Sequence, residues 1–114
     1  MSETVLILGV GVAAGIGAAV ARKFAGAGYH VMISGRTLEK LDATAADISA
    51  TGGSIEPIVV DVTSQEDQHR VFEIVRARKE PVSAVIYNAG SNFPIRFSDL
   101  SPELFEDFWR IGCF

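Results

Sequence analysis

Cysteine is nearly absent from this chain: Cys113 is the only one in 114 residues. No intrachain disulfide is possible, and a reducing compartment, the cytoplasm, is the expected setting. A basic field is also missing. Ten Lys and Arg against fourteen Asp and Glu give a formal net charge of −4, which argues against nucleic acid or an anionic membrane as partner. The one basic cluster, Arg76-Ala77-Arg78-Lys79, suits the end of a helix, where cations complement the dipole. The only two histidines, His30 and His69, are isolated, with no second ligand at metal spacing. Thr4 to Ala21 carries no charge, yet only Glu3 precedes it and its glycines weaken a lone helix, so neither a signal sequence nor a membrane span is expected. There is no linker, repeat or low-complexity segment. Residues 1–114, 48% hydrophobic, are expected to form one domain around one core.

What is present alternates between two periods. Val5-Leu6-Ile7-Leu8 is a short apolar run, as a strand buried on both faces should be. Ile16, Val20, Phe24 and Ala27 then recur at helical spacing, and Gly28 stops the pattern. His30 to Ser34 is a second strand. Leu38, Leu41, Ala45 and Ile48 mark a second helix ending at Gly52-Gly53. Ile55 to Val60 is a third strand, and Pro57 within it predicts an edge position. A third helix starts near Ser64, which caps it, and carries Val71, Phe72, Ile74 and Val75. Val82 to Tyr87 is a fourth strand. After a loop from Asn88 to Leu100, Ser101 and Pro102 open a fourth helix bearing Leu104, Phe105, Phe108 and Trp109. Four strand–helix alternations with short connections predict an α/β fold, a doubly wound Rossmann-type parallel sheet with helices on both faces.

The glycines concentrate between the first strand and the first helix, in Leu8 to Val20. Helix N–H groups and the positive dipole end point outward there, and glycine lets a pyrophosphate approach the backbone. Two registers fit: Gly9-x-Gly11-x-x-Ala14, and the longer Gly11-x-x-x-Gly15-x-Gly17. Glycines at strand ends also serve tight turns, so neither register decides the matter alone.

The segments GVAAGIG, SGRTLEKL, DVT and NAG follow the four strands in order. This pattern resembles the short-chain dehydrogenase/reductase family, specifically its N-terminal cofactor-binding half, from Val5 onward. The resemblance favours the second register. It implies a pyrophosphate turn of Gly11, Val12, Ala14, Gly15, Ile16 and Gly17, with Val10 where the family usually carries threonine. It implies an adenine-contacting pair at Asp61-Val62, and Asn88-Ala89-Gly90 stabilising the central sheet beside the cofactor. Singly, Asp61 also reads as a turn cap and Asn88 as a partner of nearby backbone. At the end of the second strand, Ser34, Arg36 and Thr37 stand with no acid before Glu39. A carboxylate there would accept a ribose 2′-OH, whereas arginine suits a 2′-phosphate, so NADP(H) is favoured over NAD(H). Arg36 stacked on adenine would serve either cofactor, and Ala13-Ala14 stand where many NADP-preferring relatives carry a base.

The family's proton-transfer groups are a tyrosine with a lysine four residues on, a serine, and a helix asparagine. A phenol near pKa 10 needs such a cation to work near neutrality. Four residues after Tyr29 and Tyr87 stand Ile33 and Ser91, so no Tyr-x-x-x-Lys exists here. Where relatives read Trp-x-x-Asn, this chain reads Trp109-Arg110-Ile111-Gly112. No catalytic residue is therefore assigned. Arg96 reads as a solvated loop residue or as a substrate contact. The expectation is a fragment or truncated form of an NAD(P)(H)-dependent oxidoreductase acting on a small carbonyl or alcohol substrate. The alternative is a non-catalytic dinucleotide-binding or redox-sensing module. If these 114 residues fold alone, the fourth strand and fourth helix are expected to drive homo-oligomerisation.

Overall fold

The computed structural model describes residues 3–11, 15–89 and 95–112. Strand β1 (Thr4–Leu8) leads to helix α1 (Ile16–Gly26), followed by β2 (His30–Gly35), α2 (Leu38–Ser49), β3 (Ser54–Val59), α3 (Gln65–Ala77) and β4 (Val82–Tyr87). A short 3₁₀ turn at Phe97–Asp99 precedes α4 (Pro102–Gly112). The sheet runs β3-β2-β1-β4, with every neighbouring pair parallel. The parallel α/β architecture expected from the alternating pattern is the one seen.

The inner strands show why those apolar runs lack alternation. Val5, Leu6 and Ile7 of β1 and Val31, Met32 and Ile33 of β2 are all completely buried. Val5, Ile7, Val31 and Ile33 lie under α1 and α2, while Leu6 and Met32 face Val71 and Val75 of α3. Burying each such side chain contributes about 1.5–3 kcal/mol. The outer strands are less covered. On β4, Ala84 and Ile86 pack on the α1 side, but Val85 and Tyr87 are half exposed.

Helix α1 corrects the face expected from apolar spacing. Its buried line is Gly17, Ala18, Ala21 and Ala25, while Val20 and Phe24 only flank it and Ile16 is 70% exposed. Small residues let the helix axis come close to the sheet, which a line of large side chains would prevent. Leu38 on α2 and Phe72 on α3, also expected to mark the packed face, are substantially exposed.

Two local expectations hold in atomic detail. Helix α1 ends in a Schellman motif: the Gly28 amide donates to Ala25 O (3.1 Å) and the Tyr29 amide to Phe24 O (3.2 Å). Gly28 takes a φ of +97°, and the Phe24 and Tyr29 rings meet edge to face at 5.5 Å across the motif. On β3, an edge strand, the Val60 amide donates inward to Gly35 O (2.8 Å). Alternation from there turns Pro57 outward, where its missing N–H breaks no ladder bond.

Gly28→Ala should cost about 1–2 kcal/mol through backbone conformation alone, since nothing lies within 4 Å of the added carbon. Gly35→Ala should cost more, because its Cβ would sit 2.3 Å from the Val10 carbonyl oxygen. Denaturant unfolding of the two variants checks this order, and equal losses would contradict it.

Candidate functional site

Because all four strands are parallel, their C-terminal ends share one rim. The segments following them, at residues 9–11, 35–37, 60–63 and 88–89, line a single cleft of about 660 Å³. Leu104, Asp107, Phe108 and Ile111 of α4 add an i, i+3, i+4, i+7 stripe along it. The chain moves outward from β1 to β2 and β3, then crosses back to β4 on the other side of β1. The cleft therefore lies at the switch in strand order, where open parallel sheets bind ligands.

The loop after β1 is held by backbone contacts. Ser34 O accepts the amides of both Gly9 (3.0 Å) and Val10 (2.8 Å). Gly9 has a φ of +102°, and a Cβ there would lie 2.3 Å from the Ala89 nitrogen. A Cβ on Gly17 would lie 2.7 Å from Gly9 O. Asn88 Nδ2 donates to the same Gly9 oxygen at 3.1 Å, joining segments 79 residues apart. Thr44, fully buried on α2, donates its hydroxyl to Gly11 O at 3.4 Å. Gly9, Gly17 and Gly35 are thus small because the protein's own backbone crowds them. Gly11 differs: it borders the cleft and has nothing within 4 Å of its Cβ direction.

Helix α1 also differs from its companions at its start. Its N-cap, Gly15, provides no side-chain bond, and its first turn carries no acid. By contrast, Ser64 accepts from the Asp67 amide on α3 (3.2 Å) and Ser101 from Leu104 on α4 (3.1 Å), while α2 has Glu39 in its first turn. The dipole end of α1 is left uncompensated among the described residues.

Charge at the cleft comes from Arg36, Lys40, Asp61, Asp107 and Arg110. Every other described arginine has a carboxylate within 4.0 Å; Arg36 has none. The Asp61 Oδ1 accepts from the Thr63 hydroxyl (2.6 Å) and amide (2.9 Å). The Thr63 hydroxyl, then the Thr63 amide, hold this carboxyl below its usual range against the opposing effect of burial, and the Arg36 charge adds to the lowering. The turn is anchored to α3, since the Asp61 amide donates to Asp67 Oδ2 (2.8 Å) and Gln68 Nε2 to Val62 O (2.7 Å). Tyr87, beside Asn88, donates its hydroxyl to Ile111 O and ties α4 to β4. Burial raises the Tyr87 pKa, the opposite of what an acid/base phenol needs.

Of the residues expected from sequence, Gly11, Arg36, Thr37, Asp61, Val62, Asn88 and Ala89 come together on the cleft. Gly15, Ile16 and Gly17 form the start of α1 behind it. Val12, Ala14 and Gly90 lie outside the described residues. Ser34 does not line the cleft: it is fully buried, and its hydroxyl donates to Ile7 O at 3.2 Å, so it supports the rim from behind. Sequence inspection missed Lys40, one turn after Arg36, and the α4 stripe, whose helical spacing was visible. It also missed Thr63, although Asp-x-Thr is the signature of the turn it makes. Among the described residues, no group of three or more His, Cys, Asp or Glu is placed to hold a metal. No described helix is long and apolar enough to cross a membrane.

A family model described as short chain dehydrogenase matches residues 3–114. The chain belongs to the short-chain dehydrogenase family. It is 32% identical over 109 residues to dehydrogenase/reductase SDR family member 11 of Mus musculus, covering 94% of this chain and 42% of that protein. A solved short-chain dehydrogenase from Rhodopseudomonas palustris shares 29% identity with a TM-score of 0.84, over 97% of this chain and 51% of that one. A variant of actinorhodin polyketide ketoreductase with NADPH gives 27% and 0.86, over 96% and 41%. The chain thus spans about two fifths to half the length of these short-chain dehydrogenases.

The Asp61 turn sets a pH dependence. Its folded pKa is lowered, so its stabilisation is complete above about pH 4, the unfolded value, and is lost as pH falls through the folded value. The difference in melting temperature between the parent chain and Asp61→Asn should therefore shrink toward zero on acidification from about pH 7 to about pH 3. A constant difference across that range would remove the carboxylate from the explanation.

Proposed function

We propose that these residues form the dinucleotide site of an NADP(H)-dependent oxidoreductase that moves hydride between nicotinamide and a carbonyl or alcohol carbon. The carrying observation is the convergence of four separate strand-end segments on one cleft at the sheet's switch point, beside the bare N-terminus of α1. A cleft of about 660 Å³ falls within the range of cofactor pockets.

The donor set fits a dinucleotide. Gly11, Val12, Ala14, Gly15, Ile16 and Gly17 would hold the pyrophosphate through backbone amides and the α1 dipole, and the open Cβ direction of Gly11 leaves room for close approach. Asp61 and Val62 would contact the adenine. Asn88, Ala89 and Gly90 would stabilise the central sheet beside the cofactor, with Asn88 holding the Gly9 loop in place. When bound, the cofactor supplies or accepts the hydride. Proton transfer is assigned to no residue of this sequence, which lacks Tyr-x-x-x-Lys.

Arg36 supports the choice of NADP(H). It is a guanidinium on the rim with no described carboxylate within 4.0 Å, with Thr37 beside it and no acid at the end of β2 before Glu39. Lys40 adds a second cation on the same wall. NADPH should bind more tightly than NADH, and Arg36→Ala should weaken NADPH about tenfold, since a charged hydrogen bond is worth roughly 1.5–3 kcal/mol and this one is exposed. NADH should change little. Calorimetric dissociation constants check this, and tighter NADH binding by the parent chain would refute the assignment.

A cytoplasmic setting and self-association complete the proposal. Val82, Val85 and Tyr87 on the β4 edge and Phe105 and Trp109 on α4 are exposed apolar groups that a second copy would cover. The 114-residue chain should sediment as an oligomer at high concentration, with Val85→Lys shifting it toward monomer. A monomeric profile throughout would refute this part.

A further inference from the structure

At the end of the sheet opposite the cleft, side chains of β2 and β3 form a hydrogen-bonded row. His30 opens β2, and Ser54 opens β3 in register with it. The His30 ring is buried; its Nδ1 lies 2.6 Å from Ser54 Oγ and its Nε2 3.4 Å from Glu56 Oε1. Arg78 Nη1 lies 3.7 Å from the same Glu56 oxygen, and Arg78 Nη2 lies 2.6 Å from Glu80 Oε1. Nothing in the dinucleotide site uses these groups.

The row sets where the imidazole proton sits. An ionised carboxylate only accepts hydrogen bonds, so the neutral ring carries its hydrogen on Nε2, toward Glu56. Nδ1 then presents its lone pair to Ser54, whose hydroxyl donates to it. A nucleophile, a base and an acid orienting that base stand in one line, which is the arrangement that activates a serine. The two ring nitrogens take exchanged places relative to the Ser-His-Asp template, and either nitrogen can act as the base.

Ser54 is exposed and follows the Gly52-Gly53 turn, so no bulky neighbour in the chain precedes it. The strand alternation that sends the Val60 amide inward turns the Ile55 amide toward the open edge of the sheet. That donor belongs to the residue after the serine.

We propose that Ser54 is an acyl-acceptor site that takes an acyl group from an activated ester or thioester. Ser54 Oγ bonds to the acyl carbon while its proton passes to His30 Nδ1. The acyl carbon's bond to the leaving oxygen or sulfur breaks, and His30 returns the proton to that leaving group. The products are acyl-Ser54 and an alcohol or thiol, with no change of oxidation state.

The test uses the full chain with p-nitrophenyl acetate, followed by release of p-nitrophenolate, intact mass and peptide mapping. One acetyl group per chain is expected, on Ser54, and Ser54→Ala should abolish it. His30→Ala should slow labelling about a hundredfold, the usual worth of a positioned general base. Added imidazole should restore the rate in that variant, which a merely structural role for His30 would not produce. If His30→Ala fails to fold, His30→Gln provides the same comparison of rates. No label on Ser54 in the folded parent chain, or equal labelling rates with and without His30, would overturn the proposal.

Discussion

Ser34 O receives two amide bonds, from Gly9 and Val10, and its neighbour Gly35 and two further segments crowd the same short stretch. Gly35 approaches the Val10 carbonyl, Gly17 approaches Gly9 O, and Ala89 lies against Gly9, while Asn88 donates to its oxygen. None of these approaches leaves room for a Cβ on the glycine concerned. This crossing joins the ends of β1, β2 and β4 with the first turn of α1, so each strand-end segment is positioned relative to the same peptide. The core below supplies most of the stabilisation through the fully buried residues of β1 and β2. The crossing determines where the rim residues stand.

Its consequence for the site is a cleft built more from backbone than from side chains. Gly9 and Gly17 serve the assembly of the loop, whereas Gly11 borders open space, so glycines adjacent in sequence have different tasks. Charge is then distributed around that scaffold. The α1 dipole end has no capping side chain or acid among the described residues, Arg36 has no described carboxylate within 4.0 Å, and Asp61 is locked by Thr63 into its turn. For Asp61 the turn-cap reading holds, since one oxygen accepts both Thr63 bonds, and the residue also lines the cleft. The opposite end of the sheet carries a separate polar row through His30, Ser54 and Glu56, so the two ends of β2 and β3 have different chemistry.

Much of the architecture was legible because local signals were strong. Uninterrupted apolar runs marked the buried inner strands, Gly28 marked the Schellman stop, Pro57 marked the edge strand, and Ser64 and Ser101 marked helix starts. The four motif segments were legible as a set because parallel strands bring all their C-terminal ends together. What misled was the preference for large apolar residues as markers of packing. On α1 the alanine and glycine line is buried and Ile16 is exposed, since a close helix–sheet contact selects for small volume.

Type, order and spacing of residues by themselves determined the elements, the parallel sheet and the family, because each depends on periodicity or on turn chemistry carried by a few neighbours. Only the tertiary structure decided which groups face the cleft. It turned the Ser34 hydroxyl away from the cleft, onto Ile7 O, and it placed Lys40, Thr63 and the α4 stripe along the cleft. It also placed His30, isolated in sequence, between Ser54 and Glu56. Those assignments depend on distances between segments far apart in the chain. Backbone approach at Gly9 and Val10 and the register of β2 against β3 set those distances, and neither is encoded in any local pattern.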